Sequence, residues 1–531
     1  MKKYLVLLLL PYIMIFSQDD KSKNPNVELP DFVITGSDVV SIRHAEKIKP
    51  DFVSTITNDF ILPVHSPEEL GLKQLSNPLK EDLKLLDSTY FSKGSIKAEA
   101  GIYTLPGGEL SYNYPFKNGI LNANVGGSHQ RAYVDNSDRF YFYGGAGLQY
   151  LIPIKNDVLP GTKFHLNGDY NSYSYKLFAS NDPKEKRSKN EGNYYLGIKN
   201  ILWKNFIFDL HLTDQFTSLI EDNLTENLIS TFGMGLLQFS DFSIGVKSNY
   251  KKQFLTTDTL GKVNSDYYFI RPSVSFEILN SVKIKLGYTI TGSVGAKYNQ
   301  PYASFGLKLS KNIILIGEYA PQGEFMTSGM FLRQNDYFNA IGFQSMFYKK
   351  STYFDVAVKY EYGKYYQLDA GLRYFKSGNL PYFESSTVSG QFDIATADAN
   401  EFNAYFNALY HTGPNGVLYG SIDYYRLRDN TGNKIPYFPW LKADVTYGYE
   451  FTKGLLGELS ALFCSDRYVD ISNTKKLNSY FDVGFKLTYR LNKNFILNLK
   501  AINLLDRNIY YWDNYMQKPV DLLLGFNYMF D

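Results

Sequence analysis

Two consecutive runs decide the fold: Phe354-Asp-Val-Ala-Val-Lys-Tyr-Glu-Tyr362 and Tyr366-Gln-Leu-Asp-Ala-Gly-Leu-Arg-Tyr374. In the first, Phe354, Val356, Val358, Tyr360 and Tyr362 fall on one face, while Asp355, Lys359 and Glu361 fall between them. The second places Tyr366, Leu368, Ala370, Leu372 and Tyr374 on one face, against Gln367, Asp369 and Arg373. Only extended backbone sends alternate side chains to opposite sides. The pattern returns in Leu441–Phe451 and Phe481–Arg490. A soluble antiparallel sheet also has this period. Two features favour a membrane instead. The polar face is charged in run after run, as a wet lumen permits. The apolar face carries Tyr or Phe near its ends and Leu, Val or Ala between, as a lipid band between aromatic girdles requires.

Outward from these runs, the stretch 95–531 reads as a series of such segments. The expected tight turns are Pro106-Gly107-Gly108, Lys117-Asn118-Gly119, Lys204-Asn205, Asn280-Ser281 and Asn492-Lys493. Longer polar segments, Ser180 to Asn190, Ala320 to Gln334 and Arg428 to Pro439, are expected at the other end. Short inner turns and long outer loops are the asymmetry of a transmembrane barrel. Spacing predicts an all-β fold, an antiparallel up-and-down barrel of about 22 strands within a range of about 20–24. Closure is required because a bilayer gives no partner to an open edge.

Composition agrees. Tyr (46) and Phe (39) far outnumber Trp (3), and Gly reaches 41, which suits twisted strands and tight turns. After residue 16 no run approaches the ~20 apolar residues of a membrane helix. A net charge of +2 gives no basic excess for nucleic acid. The single cysteine, Cys464, excludes an internal disulfide and a zinc site of several Cys ligands.

At the amino end, Lys2 and Lys3 precede an apolar run from Tyr4 to Phe16, followed by Ser17-Gln18-Asp19. This reads as a secretory signal peptide over 1–17. Residues 18–94 are polar and proline-punctuated, and read as a periplasmic segment with a short helix between Leu70 and Leu86.

At the carboxyl end, Leu522, Leu524, Phe526, Tyr528 and Phe530 share a face. The spacing Gly525-x-x-Tyr528-x-Phe530 resembles the assembly signal read by the barrel-assembly machinery of the outer membrane; Leu523 and the trailing Asp531 depart from it. Upstream, Leu497-x-Leu499-x-Ala501-Ile-Asn503-Leu-Leu-Asp506-Arg507-x-x-Tyr510 resembles the penultimate strand and turn of TonB-dependent receptors. Asn503 and Asp506 can close that turn through side-chain bonds, and Tyr510 to Tyr515 is expected to supply interface aromatics.

The same family places a TonB box near its amino end, and Glu28-Leu-Pro-Asp-Phe-Val-Ile-Thr-Gly36 is similar to one. The resemblance implies that Phe32, Val33, Ile34 and Thr35 add a strand to a TonB-type energy transducer. Between this stretch and the barrel there is no plug-like run, so the family's plug is expected to be missing or reduced.

No catalytic or metal signature stands out. His44, His65, His129, His165, His211 and His411 show no ligand spacing, and no cofactor is expected. Asp209 and His211 share strand parity, yet two polar lumen residues are the ordinary product of alternation. Lys184 to Lys189 reads as solvated loop charge, and Tyr170 to Tyr175 as girdle or lumen packing rather than a sugar-stacking surface. The expectation is therefore not an enzyme. It is an outer-membrane receptor or channel of the TonB-dependent type, moving or docking a ligand at a polar lumen, with a substrate-binding lipoprotein as a further partner. The alternative is a structural or secretion-complex barrel that presents outer loops to protein partners.

Overall fold

The computed structural model describes residues 92–530, apart from 202–204, 241, 279–280, 294, 363–364 and 412–415. The signal peptide, the TonB-box-like Phe32–Thr35 and the helix expected near 70–86 lie outside the described residues.

Among the described residues, wall strands run from Gly94 to Phe530, each antiparallel to the next strand of the wall, with two small hairpins, Arg467–Tyr468 with Lys476–Leu477 and Tyr510–Trp512 with Tyr515–Met516, standing outside the series. The last, Asp521–Phe530, pairs with the first, Gly94–Gly101, from Gly94↔Phe530 to Gly101↔Leu523. Ile313–Tyr319 and Gln322–Thr327 are two parts of one interrupted strand, so the closed barrel has twenty-two.

The alternation has the predicted sense. Phe354, Val356 and Val358 are 46%, 41% and 42% exposed on the outer face, while Lys359 and Asp369 are buried inward and paired in register. The outer face closes on a girdle at the short-turn end. Phe116 stacks on Tyr150, Phe239 on Phe242 and Tyr366 on Tyr410, and Phe495 meets Tyr528. A lipid band bounded by such rings is the exterior of an outer-membrane barrel.

Lys117-Asn118 and Asn492-Lys493 form the turns expected of them; the turns at 204–205 and 280–281 fall partly outside the described residues. Pro106-Gly107-Gly108 does not make a turn. It lies inside the strand Thr104–Phe116, whose register against Gly119–Gln130 shifts between Thr104 and Gly107. A proline and two glycines mark a bulge as readily as a turn, and the chain reverses instead at residues 102–103. The predicted turn at Asn503 is present: Asn503 (φ 48°) accepts from the Arg507 amide at 3.0 Å, and Asp506 (φ 49°) accepts from the Val520 amide at 3.1 Å.

A lid across the outer mouth as candidate functional site

The segment expected to be an outer loop, Ala320 to Gln334, turns into the bore. Ile313–Tyr319 is an ordinary wall strand, held by Ala303–Lys308 on one side and Phe354–Tyr360 on the other. Pro321 then lacks the amide needed to continue the ladder. Opposite it the partner strand bulges, shifting register between Lys350 and Thr352. Beyond this point Gln322–Thr327 pairs only with Ser345–Lys350, and the two form a hairpin.

That hairpin rests on side chains that neighbouring strands point into the lumen. The Tyr267 hydroxyl donates to the Gly323 carbonyl at 2.9 Å. The Gly323 amide donates to Thr291 Oγ1 at 3.1 Å, and Arg271 reaches Gln322 Oε1 at 3.2 Å. Phe325 stacks on Tyr267 with centroids 5.8 Å apart. A side chain at position 323 would strike the Phe347 ring and Thr291, so only glycine allows this approach.

The tip of the hairpin is the helix Ser328–Gln334, capped by Thr327. Its start is gripped from the wall by two buried polar residues. Glu226 accepts from the Thr327 hydroxyl at 2.6 Å, the Gly329 amide at 3.0 Å and Gln253 at 2.8 Å. Gln253 also donates to the Gln344 carbonyl at 2.8 Å.

Past the helix, Asp336 is bound by earlier strands of the same arc of wall, from which only Phe206–Leu219 separates Glu226. Its carboxylate accepts from Lys189 at 2.6 Å and Arg139 at 2.7 Å, and the Tyr175 hydroxyl donates to its carbonyl at 2.6 Å. Arg187 donates to the Phe338 carbonyl at 2.8 Å and to Asp222 at 2.9 Å. Burial alone would push the Asp336 carboxyl up; Arg139 and Lys189 outweigh it and hold the group below the usual carboxylate range.

Apolar contacts complete the closure. Phe331, Leu332, Phe338 and Ala340 of the lid are buried against Leu219, Leu224 and Leu255 of the wall, and against Phe383, Phe392 and Tyr515. Tyr515 stacks on Tyr337, and its hydroxyl donates to the Gly390 carbonyl at 2.7 Å. One segment therefore reaches into the bore, tied by polar bonds to one arc of the wall from Arg139 to Thr291 and packed against Phe383, Phe392 and Tyr515 beyond it. Beside the Asp336 latch lies a polar cavity of about 380 Å³, between Tyr133, Arg139 and Tyr337 on one side and Asn503, Trp512 and Lys518 on the other. That is within the size range of small-molecule sites.

Several expectations are corrected here. Arg187 and Lys189 are not solvated loop charge: Lys186–Asn200 is a strand, its parity turns both side chains inward, and each is 2% exposed. The tract Tyr510 to Tyr515 does not face lipid. Tyr510–Trp512 and Tyr515–Met516 form a small hairpin that packs Trp512 and Tyr515 onto the lid. Tyr170 faces outward, whereas Tyr173 and Tyr175 face the lumen, where Arg139 lies over both rings. Asp209 and His211 do share the inner face, 3.6 Å apart, with Lys199 on the carboxylate and Phe232 stacked on the imidazole. Of the carboxyl-terminal residues, Tyr528 and Phe530 sit side by side in the inner girdle. Gly525 faces the lumen, where a side chain would crowd Ala98 and Glu99. Among the described residues no group of three or more His, Cys, Asp or Glu could hold a metal ion. Sequence reasoning missed Arg139, Glu226, Gln253 and Asp336. The available signal was strand parity, which places Glu226 and Gln253 inward on otherwise readable strands.

No family model matches the sequence, and no similar curated protein is found. Solved structures do match. The chain is similar to the siderophore receptor PiuA from Acinetobacter baumannii, with 12% identity and a TM-score of 0.61 over 84% of this chain and 82% of that one. A mutant of the ferric enterobactin receptor PfeA from Pseudomonas aeruginosa gives 10% and 0.61, over 82% and 80%. The ferric-catecholate import receptor Fiu from E. coli K12 gives 12% and 0.60, over 83% and 82%. At such identity the likeness is one of architecture, and it meets the resemblance read from the carboxyl end: this chain is an outer-membrane β-barrel built on the twenty-two-strand fold of TonB-dependent receptors.

Proposed function

We propose that the protein is a gated outer-membrane receptor, which takes a ligand at its outer mouth and passes it into a polar lumen. The observation that carries this reading is the lid: a hairpin and helix folded across the bore and held by ion pairs, hydrogen bonds and rings that can part without breaking the wall ladder. A plain pore would leave that space open, and a barrel that only displayed loops would gain nothing from drawing its longest one inward.

Opening such a lid by ligand alone needs a differential affinity of several kcal/mol between closed and open states. An external energy source relaxes that demand. The TonB-box-like Phe32-Val33-Ile34-Thr35 is the candidate coupling segment, and Gly525, Tyr528 and Phe530 the candidate assembly signal. The solved receptors of this fold are named for siderophores, ferric enterobactin and ferric catecholates; their shared architecture supports import as the direction of travel here. The ties that hold the lid closed, at Glu226 and Asp336, support the lid as the gate. A photocrosslinker at position 32 should capture a TonB-type protein in intact cells, and adding Ile34→Pro to that variant should abolish capture without harming barrel assembly. Capture that persists in the proline variant would remove the energised reading.

A further inference from the structure

The outer face of four neighbouring strands, Ser345–Tyr362, Tyr366–Ser385, Phe392–His411 and Gly416–Asp429, changes character in rows toward the outer mouth. Register sets the rows. Val356, Leu372, Ala404 and Tyr424 form one, and Phe354, Tyr374, Phe402 and Arg426 the next. The uppermost holds Thr352, Lys376, Asn400 and Arg428. A largely aliphatic row thus gives way to exposed rings, and the rings to cations.

Height along the barrel fixes the depth of these cations. Tyr366, in the girdle at the short-turn end, lies ten residues below Lys376 on one strand. At ~3.3 Å per residue and a tilt of ~40°, that is a rise of ~25 Å, the height of the apolar band. Lys376, Arg426 and Arg428 therefore stand where acyl chains end and headgroups begin. Long cationic side chains suit that position, since their stems can lie on apolar surface while the charge stays wet.

No carboxylate of the protein neutralises the three. Among the described residues Lys376, Arg426 and Arg428 form no ion pair, whereas Lys176, at the outer end of another strand, meets Asp138 at 2.8 Å. Arg428 gives one N–H to the Gly432 carbonyl at 2.7 Å. The carboxylates of these outer ends have other partners. Asp398 accepts from the Asn379 amide at 3.0 Å, Asp429 from the Asn433 amide at 2.8 Å, and Asp466 from Trp440 Nε1 at 2.8 Å. Between Lys376 and Arg428, Asn400 Oδ1 has no hydrogen-bond partner among the described residues.

Beside the arginines the wall opens. The ladder between Gly416–Asp429 and Leu441–Thr452 ends at Tyr424↔Leu441. Above it is a recess of about 330 Å³, lined by Arg426, Arg428, Lys434 and Trp440 among others.

Charge, depth and apolar flank together select an occupant. Guanidinium groups bind phosphate bidentately. Lys376 lies two strands, ~9.6 Å, from Arg428, and Asn400 Oδ1 can accept from a sugar hydroxyl. An acyl chain would find Val356, Leu372 and Tyr424 directly below. We propose that this patch binds one phosphorylated glycolipid of the outer leaflet, a lipid A headgroup with its chains laid down the barrel wall. The site is on the outer face and is independent of the receptor reading.

The test uses the full chain in a zwitterionic detergent, examined by native mass spectrometry. The probes are bis-phosphorylated lipid A, the same lipid A dephosphorylated, inorganic phosphate and polyglutamate. One bis-phosphorylated lipid A should stay bound to each barrel. Lys376→Gln, Arg426→Gln and Arg428→Gln should each weaken it by roughly fivefold, and the triple variant by about a hundredfold. Lys297→Gln, at the outer end of another strand, should leave it unchanged. Should the triple variant fail to fold, the three single variants decide. Four results would overturn the proposal: dephosphorylated lipid A bound as tightly, native affinity in the patch variants, displacement of lipid A by equimolar inorganic phosphate, which would mark a free-anion site, or tighter binding of polyglutamate, which would mark an acidic protein partner.

Discussion

Asp336→Ala is the sharpest probe of the lid. The substitution deletes two charge-assisted bonds, to Lys189 at 2.6 Å and Arg139 at 2.7 Å. Removing one member of a buried ion pair ordinarily costs ~3–5 kcal/mol, because the partner is left buried and uncompensated. Both partners are cushioned here. Lys189, 3% exposed at its side chain, keeps Glu191 at 2.8 Å and the Leu332 carbonyl at 3.2 Å. Arg139 is 31% exposed and keeps the faces of Tyr173 and Tyr175. The loss should therefore be about 2–3 kcal/mol, which raises the ratio of open to closed lids roughly 30- to 150-fold. The apolar contacts still favour closure, so the single variant should show more frequent brief openings rather than a standing pore. Adding Phe338→Ala removes a fully buried ring, worth ~3–5 kcal/mol, and should hold the lid open. Single-channel recording in planar bilayers reads this directly: rare openings in the native protein, more in Asp336→Ala, sustained conductance in the double variant. A double variant as silent as the native barrel would refute the idea that this segment gates the bore.

Acid should open the lid only late. The Asp336 carboxyl is held below its ordinary range, so its contribution to closure is complete above about pH 4 and declines as pH falls through the lowered value; opening frequency should be flat from about pH 7 to 5, and a rise near pH 6 would implicate another group. Val356→Arg puts a charge in the lipid band and should cost ~2–4 kcal/mol near the midplane, whereas Asn122→Arg, in the lumen, should be nearly neutral; equal losses in urea unfolding of the inserted barrel would invert the inside–outside assignment. Phe530→Ala should slow insertion by the barrel-assembly machinery in a reconstituted assay without lowering the stability of molecules that do insert; an unchanged rate would remove its role as a signal.

The wall was legible because its information is local. Parity at Val356 or Leu497 is decided by water on one side and lipid on the other, and each strand repeats the decision. Where parity was followed only part of the way, the reading failed: continuing the inward series from Tyr195 through Asn193 and Glu191 leads straight to Lys189 and Arg187. The lid was illegible for a different reason. Gln322 to Thr327 is a short extended run like many others, and what draws it inward is the pair Glu226 and Gln253, about 70 to 100 residues earlier in the chain. A buried carboxylate with three donors has no local signature, because its donors are brought together only by the closed barrel. Pro106-Gly107-Gly108 failed through an ambiguity of chemistry, since the freedom that makes a turn also makes a bulge.

The bend at Ala320-Pro321 separates two stages of assembly. Below it, Ile313–Tyr319 already has both neighbours, so the cylinder can be sealed in the bilayer before the hairpin finds its seat. The hairpin then docks as a passenger on a finished wall, with its docking partners waiting as side chains rather than as ladder positions. A passenger of that kind can be lengthened, shortened or exchanged without moving a single strand register. Barrels of one architecture could in this way diverge in what they admit while inheriting the same vessel unchanged.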